Sequence, residues 1–119
     1  MANAGYVVTD MSDTLQALAE VLEQRKGADP EGSYVAGLYA QGLDGILKKV
    51  GEEAAEVIIA GKGDDDAAVV RETADLWFHT MVLLAARNQK VADVIAELER
   101  RFGVSGLQEK QQRSTGEGA

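Results

Sequence analysis

Residues 72–86 read ETADLWFHTMVLLAA, and this stretch indicates the fold class of the chain. From Leu76 to Ala86 the only polar side chains are those of His79 and Thr80. A helix that is apolar on all sides is normally buried between other helices. The rest of the chain is rich in Ala, Leu, Glu and Lys, and aromatic residues make up only 5% of it. We therefore predict an all-α fold, a bundle of about five helices.

The apolar period and the turn signals along the chain place these five helices. Glycines and a single Asp-Pro pair separate them, and Ser33 and the aspartates at 64–66 stand at two of the predicted starts. The predicted helices are Ser12–Lys26, a short helix from Ser33 to a stop at Gly42, Asp44–Ala60, a long helix from Asp64–Asp66 to about Asn88, and Val91–Phe102.

Length and composition limit what the protein can be. The chain has 119 residues, which predicts one domain, residues 1–104, followed by a partly flexible tail, residues 105–119. The net charge of −8 argues against binding to nucleic acid or to an anionic membrane. There is no Cys, no leader-like start and no apolar run near the roughly 18 residues of a membrane span. We expect a cytoplasmic protein.

Two acidic clusters stand on neighbouring predicted helices. The first comprises Glu52, Glu53 and Glu56, and the second comprises Glu72 and Asp75 within the apolar stretch. Glu53/Glu56 and Glu72/Asp75 are both i, i+3 pairs, which place two side chains on one helical face. Two such pairs on facing helices predict a cup of four carboxylates, a solution that helical bundles use to bind metals.

Three states would reconcile acidic side chains with an apolar helix: protonation, pairing with a base, or coordination of a cation. The bases available for pairing are too few for five carboxylates, and a divalent ion would close the deficit. On the third helix alone, an acidic strip beside an apolar one is also typical of a solvated surface. The bases near the clusters are Lys48, Lys49, Lys62 and Arg71.

The ligand types indicate which metal the clusters would bind. Carboxylate oxygens without Cys and with a single His favour magnesium, or manganese as a substitute, over zinc. Magnesium usually shares its coordination shell with substrate phosphates. The clusters therefore predict magnesium-dependent phosphate chemistry.

The segments Lys49-Val50-Gly51-Glu52-Glu53-Ala54-Ala55-Glu56 and Glu72-Thr73-Ala74-Asp75-Leu76-Trp77-Phe78-His79 resemble the phosphoribosyl-ATP pyrophosphatases. These enzymes of histidine biosynthesis belong to the all-α nucleoside triphosphate pyrophosphatases, whose signature is Glu-Glu-x-x-Glu followed by Glu-x-x-Asp. Ser33-Tyr34 and the stretch around Ser105-Gly106-Leu107 are also similar to the family. Two positions depart from its pattern, Val35 where Thr is usual and Gly45 where a basic residue is common.

The resemblance implies hydrolysis of phosphoribosyl-ATP to phosphoribosyl-AMP and pyrophosphate by a homodimer, with the helices of two subunits completing one bundle. Water would attack at the α–β phosphate junction. For two of the residues below an alternative stays open: His79 would be a core histidine with its hydrogen bonds satisfied, and Ser33 would be a helix cap. The expected roles are magnesium ligands Glu53, Glu56, Glu72 and Asp75; catalytic residues Glu52 and Glu53; and substrate-binding residues Lys49, Lys48, Ser33, Tyr34 and His79, with Ser33 and Tyr34 directed to the ribose phosphates.

Two other functions fit the same residues. A house-cleaning pyrophosphatase for ordinary or damaged nucleoside triphosphates would use the same acidic cup with a different base pocket. A non-catalytic helical dimer would carry the acids only for solubility.

Overall fold

A computed structural model describes residues 11–103 of the chain, which form five α-helices and, within that range, no strand. The all-α prediction is confirmed. No helix in this part of the chain is long and apolar enough to cross a membrane. The helices are α1, Met11–Gln24; α2, Tyr34–Gln41; α3, Leu43–Lys62; α4, Asp66–Ala86; and α5, Val91–Phe102.

The helix boundaries follow the local sequence signals closely. Helix α5 has the predicted bounds, and α2 ends at Gly42, whose φ of 89° suits a glycine. The predicted first helix is wrong at its end, because residues Arg25–Gly27 form a 3₁₀ turn. Helix α3 runs to Lys62, since Gly61 is tolerated inside it and the helix ends only at Gly63. Asp65 caps α4 by accepting bonds from the backbone N–H groups of the second and third residues after it.

The chain divides after Gln89 into two compact units. The first carries α1–α4, and within the second the described element is α5. On α5, Glu97 accepts hydrogen bonds from Arg100 and Arg101 at 2.8 and 2.7 Å. These bonds, with Arg100 as the larger cause, lower the pKa of Glu97 to about 2. The tail predicted from residue 105 lies outside the described residues.

The core of the first unit lies where α3 packs against α4. Helix α1 contacts α4 and α2 contacts α3, so that the pair is flanked by shorter elements. Leu22, Ile46 and Val82 are the largest fully buried side chains, one each from α1, α3 and α4. The Tyr39 hydroxyl donates to the Leu22 carbonyl oxygen at 2.8 Å and ties α2 to the end of α1.

In the single chain the fourth helix is not buried on all sides, and its burial between the helices of two subunits stays a prediction. Its buried residues are confined to His79, Met81, Val82 and Ala85. Trp77 is 49% exposed and Val70 69% exposed. The same holds on α3, where Ile58 is 68% exposed although it belongs to the apolar face. The physical reason is coverage, because α4 packs against α3 and α1 and these two helices leave the named side chains exposed.

Candidate metal centre

Three carboxylates from two helices converge on one point. Glu53 of α3 and Glu72 and Asp75 of α4 each place a carboxylate oxygen within 4.8 Å of the other two. The side chains of Glu53 and Glu72 are half-buried, whereas Asp75 is exposed. We call these three residues the carboxylate cluster. It lies at the edge of the helix pair rather than inside it.

The short turn between α3 and α4 explains this convergence. Residues 63–65 reverse the chain, so the two helices run antiparallel. Glu53 and Asp75 are each eleven residues from Asp64 at the middle of the turn. With a rise of about 1.5 Å per residue in both helices, they stand at the same height along the pair. Glu72 lies one turn from Asp75 on the same face of α4 and completes the cluster.

Glu56, the fourth predicted ligand, does not belong to the carboxylate cluster. It lies at the height of Glu72, since both are eight residues from Asp64, but its side chain is exposed. Matching height brings two helical residues together only when their side chains also point toward one another. The assignment of Glu56 as a ligand stays a prediction.

Lys49 is the base that borders the carboxylate cluster. Its Nζ lies 3.4 Å from Glu52 Oε1 and 3.5 Å from Glu53 Oε2. Burial alone lowers the pKa of Lys49, but the interactions with Tyr34 and the two glutamates outweigh it, so this pKa is raised. Lys49 is therefore an ammonium at neutral pH. It neutralises part of the acidic charge, as the pairing alternative predicted.

Glu72 and Asp75, the two cluster residues on α4, have no such partner in the part of the chain that the structure describes. Arg71, the nearest arginine in sequence, lies 3.8 Å from Asp65 instead. Within residues 11–103, no lysine or arginine forms an ion pair with Glu72 or Asp75. The cluster thus keeps an excess of negative charge and a set of hard oxygen donors. Such a set fits a divalent cation that binds through carboxylates and completes its shell with water or phosphate.

Tyr34 and His79 form a contact that the sequence pattern does not reveal. The Tyr34 hydroxyl oxygen lies 2.7 Å from His79 Nε2, and His79 Nδ1 lies 2.8 Å from the Asp75 carbonyl oxygen. His79 is buried, and both of its ring nitrogens have partners within the protein. This is the arrangement expected of a satisfied core histidine. Each residue was a candidate by itself, but no periodicity links positions 45 residues apart.

Ser33 and Lys48 are the remaining predicted substrate residues, and they lie next in sequence to Tyr34 and Lys49. Ser33 caps α2, because its Oγ accepts a hydrogen bond from the Ala36 N–H at 3.2 Å. Ser33 is therefore a helix cap, and its contact with substrate stays a prediction. Lys48 is exposed. Its role also stays a prediction.

Comparison with known proteins assigns the chain to a family. Residues 15–102 match the family model described as phosphoribosyl-ATP pyrophosphohydrolase. A phosphoribosyl-ATP pyrophosphatase of Methylococcus capsulatus is 57% identical over 104 residues, which cover 87% of this chain and 99% of the relative. One of Nitrosospira multiformis is 58% identical over 104 residues, covering 87% of this chain and 86% of the relative.

The cap at Ser33 generates a stability prediction. We expect Ser33→Ala to lower the free energy of unfolding by about 1 kcal/mol, because the Ala36 N–H loses its acceptor. Ser33→Thr keeps a hydroxyl at the same position and is the matched control. Urea unfolding monitored by circular dichroism measures both. Equal stability of the two variants would contradict a capping role.

Proposed function

The chain belongs to the phosphoribosyl-ATP pyrophosphohydrolase family, and from this premise we propose that it hydrolyses phosphoribosyl-ATP to phosphoribosyl-AMP and pyrophosphate. This is a hydrolase reaction of histidine biosynthesis, and its substrate is a small nucleotide rather than a nucleic acid. We place it in the cytoplasm. The resemblance of Glu52–Glu56 and Glu72–Asp75 to the family signature agrees with the family match over residues 15–102.

The observation that carries the proposal is the convergence of Glu53, Glu72 and Asp75 within 4.8 Å. A non-catalytic helical dimer has no need to gather like charges across two helices. A triphosphate substrate, by contrast, arrives with several negative charges of its own. It can bind beside carboxylates only if a cation stands between the two sets of oxygens.

We propose that Glu53, Glu72 and Asp75 hold magnesium, for which manganese can substitute, and that Glu56 joins them when substrate binds. When bound, the cation supplies charge neutralisation of the triphosphate and of the departing pyrophosphate. The carboxylates fix its position because two of the three are half-buried and all three project from rigid helices.

Lys49 and Glu52 act beside the cation ligands. The Lys49 ammonium has the charge and reach to contact phosphate oxygens, and its pairing with Glu52 and Glu53 holds it at the cluster. The Glu52 side chain is 48% exposed, so the carboxylate oxygen that is not paired with Lys49 can accept a proton or hydrogen bond from the attacking water. Lys48 extends the basic charge toward solvent.

The first test identifies the products formed from phosphoribosyl-ATP and magnesium. We expect pyrophosphate and phosphoribosyl-AMP, and no orthophosphate, in a coupled assay with chromatography of the nucleotide. Glu53→Gln and Asp75→Asn should each lower kcat/KM by about 10²-fold or more, because each removes a charged oxygen from the reacting site.

The matched control is Asp44→Asn, which removes the same charge from an exposed position on α3. It should keep the activity of the parent chain. Faster hydrolysis of an ordinary nucleoside triphosphate than of phosphoribosyl-ATP would favour the house-cleaning alternative and contradict the substrate assignment.

Magnesium should also stabilise the folded protein without substrate. A ligand present at about one hundred times its Kd adds about 2.7 kcal/mol when it binds only the folded state. Differential scanning fluorimetry should show a higher Tm with magnesium for the parent chain and for Asp44→Asn. Asp75→Asn should lose this shift and be at least as stable as the parent without magnesium, since it relieves repulsion. A magnesium shift that persists in Asp75→Asn would place the cation elsewhere.

We further propose that two chains pair through the uncovered faces of α3 and α4. The support is the exposure of large apolar side chains that a single chain does not cover. Ile58, Ile59 and Val70 are 68%, 65% and 69% exposed, and Trp77 is 49% exposed.

Ile59→Lys should therefore weaken or abolish a dimer by placing a charge in an apolar contact. Gln16→Lys, at an exposed polar position of α1, adds the same charge away from these faces. Light scattering after size-exclusion chromatography would measure the mass of each variant. A parent chain that is monomeric at micromolar concentration would contradict the pairing.

A further inference from the structure

Both ring nitrogens of the buried His79 form hydrogen bonds, and the chemistry of their partners decides which atom donates in each. The carbonyl oxygen of Asp75 can only accept, so His79 Nδ1 must carry the hydrogen that points to it at 2.8 Å. In the neutral imidazole, Nε2 then has a lone pair and no hydrogen. With that tautomer, the Tyr34 hydroxyl, 2.7 Å away, donates to Nε2.

This direction fixes what Tyr34 offers to a ligand. A phenol has one hydrogen, and in Tyr34 that hydrogen is held by His79. Tyr34 is 56% exposed, whereas His79 is 6% exposed, so the tyrosine reaches solvent and the histidine does not. The lone pairs of the Tyr34 oxygen are the polar feature that remains for an approaching molecule. A phosphate oxygen, which is itself an acceptor, is repelled at that position.

Tyr34 also stands beside the carboxylate cluster. Its hydroxyl is linked through His79 to the backbone of Asp75, a member of the cluster. The ring of Tyr34 is further held by Phe78 and His79, with centroid distances of 6.5 and 5.8 Å. These contacts fix a half-exposed side chain at the edge of the proposed site.

We infer that Tyr34 is an acceptor for an O–H group in the bound nucleotide complex and that His79 is the positioning residue that imposes this direction. The inference rests on the proposed function for the identity of the nucleotide. The O–H group belongs either to a ribose of the substrate or to a water that bridges the phosphates. In both cases Tyr34 contacts a donor, in place of the ribose phosphate expected from the sequence.

The first experiment tests the hydrogen-bond direction without any substrate. The chain has one histidine, so a nitrogen-15 spectrum of tag-free protein at neutral pH reports His79 alone. We expect a protonated Nδ1 and an unprotonated Nε2, with the Nε2 signal shifting in Tyr34→Phe. A hydrogen on Nε2 would overturn the inference, even if phosphoribosyl-ATP is hydrolysed. With the expected tautomer, failure to hydrolyse it would overturn the proposed function instead.

The second experiment is a double-mutant cycle on kcat and KM with phosphoribosyl-ATP and magnesium. Tyr34→Phe removes the acceptor, and His79→Phe removes the group that orients it. Each should lower kcat/KM by roughly 3- to 10-fold, the range of one hydrogen bond, and the double variant should lose no more than Tyr34→Phe alone. His79→Gln should restore part of the loss, because an amide oxygen also accepts from the tyrosine. Additive losses, or no loss in Tyr34→Phe, would overturn the inference.

A deoxy substrate distinguishes the two donors. With a set of analogues that each lack one ribose hydroxyl, a contact to a ribose predicts that Tyr34→Phe causes no further loss with the analogue lacking that hydroxyl. A contact to water predicts the same loss as before with every analogue. Either result supports an acceptor role. Tyr34→Phe also removes the hydrogen-bond partner of the buried His79 Nε2, so it should keep the helical circular dichroism spectrum of the parent but melt at a lower temperature.

Discussion

Carboxylates from two helices are brought within 4.8 Å of one another, and their mutual repulsion is the main physical constraint on the candidate site. At about 4 Å two unit charges repel by about 1 kcal/mol in bulk water and by about 4 kcal/mol in the partly screened setting of a protein surface. Glu53 forms an ion pair with Lys49, but Glu72 and Asp75 have no basic partner in the described part of the chain. The magnesium ion that we propose would offset this repulsion.

The elements around the cluster serve to keep it in register. The turn at residues 63–65 sets the relative height of α3 and α4, and the Asp65 cap fixes where α4 begins. Ile46 and Val82, both fully buried, hold the two helices together where they pack. Helix α2 is linked to α4 by the hydrogen bond between Tyr34 and His79 Nε2. His79 Nδ1 in turn bonds to the backbone carbonyl oxygen of Asp75, a member of the carboxylate cluster. Packing, capping and the site are thus parts of one arrangement.

Much of this arrangement could be predicted from the sequence, because it depends on periodicity and local signals. Apolar periodicity and turn residues predict the five helices, the Gly42 stop and the Ser33 cap. Spacing along a helix predicts the pairs Glu53/Glu56 and Glu72/Asp75. Spacing gives the angle of a side chain around its own axis, but not which neighbour faces it. For that reason the exposure of Asp75 and Trp77, the separation of Glu56 from the cluster and the bond between Tyr34 and His79 required the structure.

The most direct measurement is an anomalous diffraction map from crystals grown with manganese, collected at the manganese absorption edge. If these carboxylates bind the cation, the map will show a peak roughly 2 Å from carboxylate oxygens of Glu53, Glu72 and Asp75. A map with no peak there, and with the three side chains turned apart into solvent, would contradict metal binding at this site.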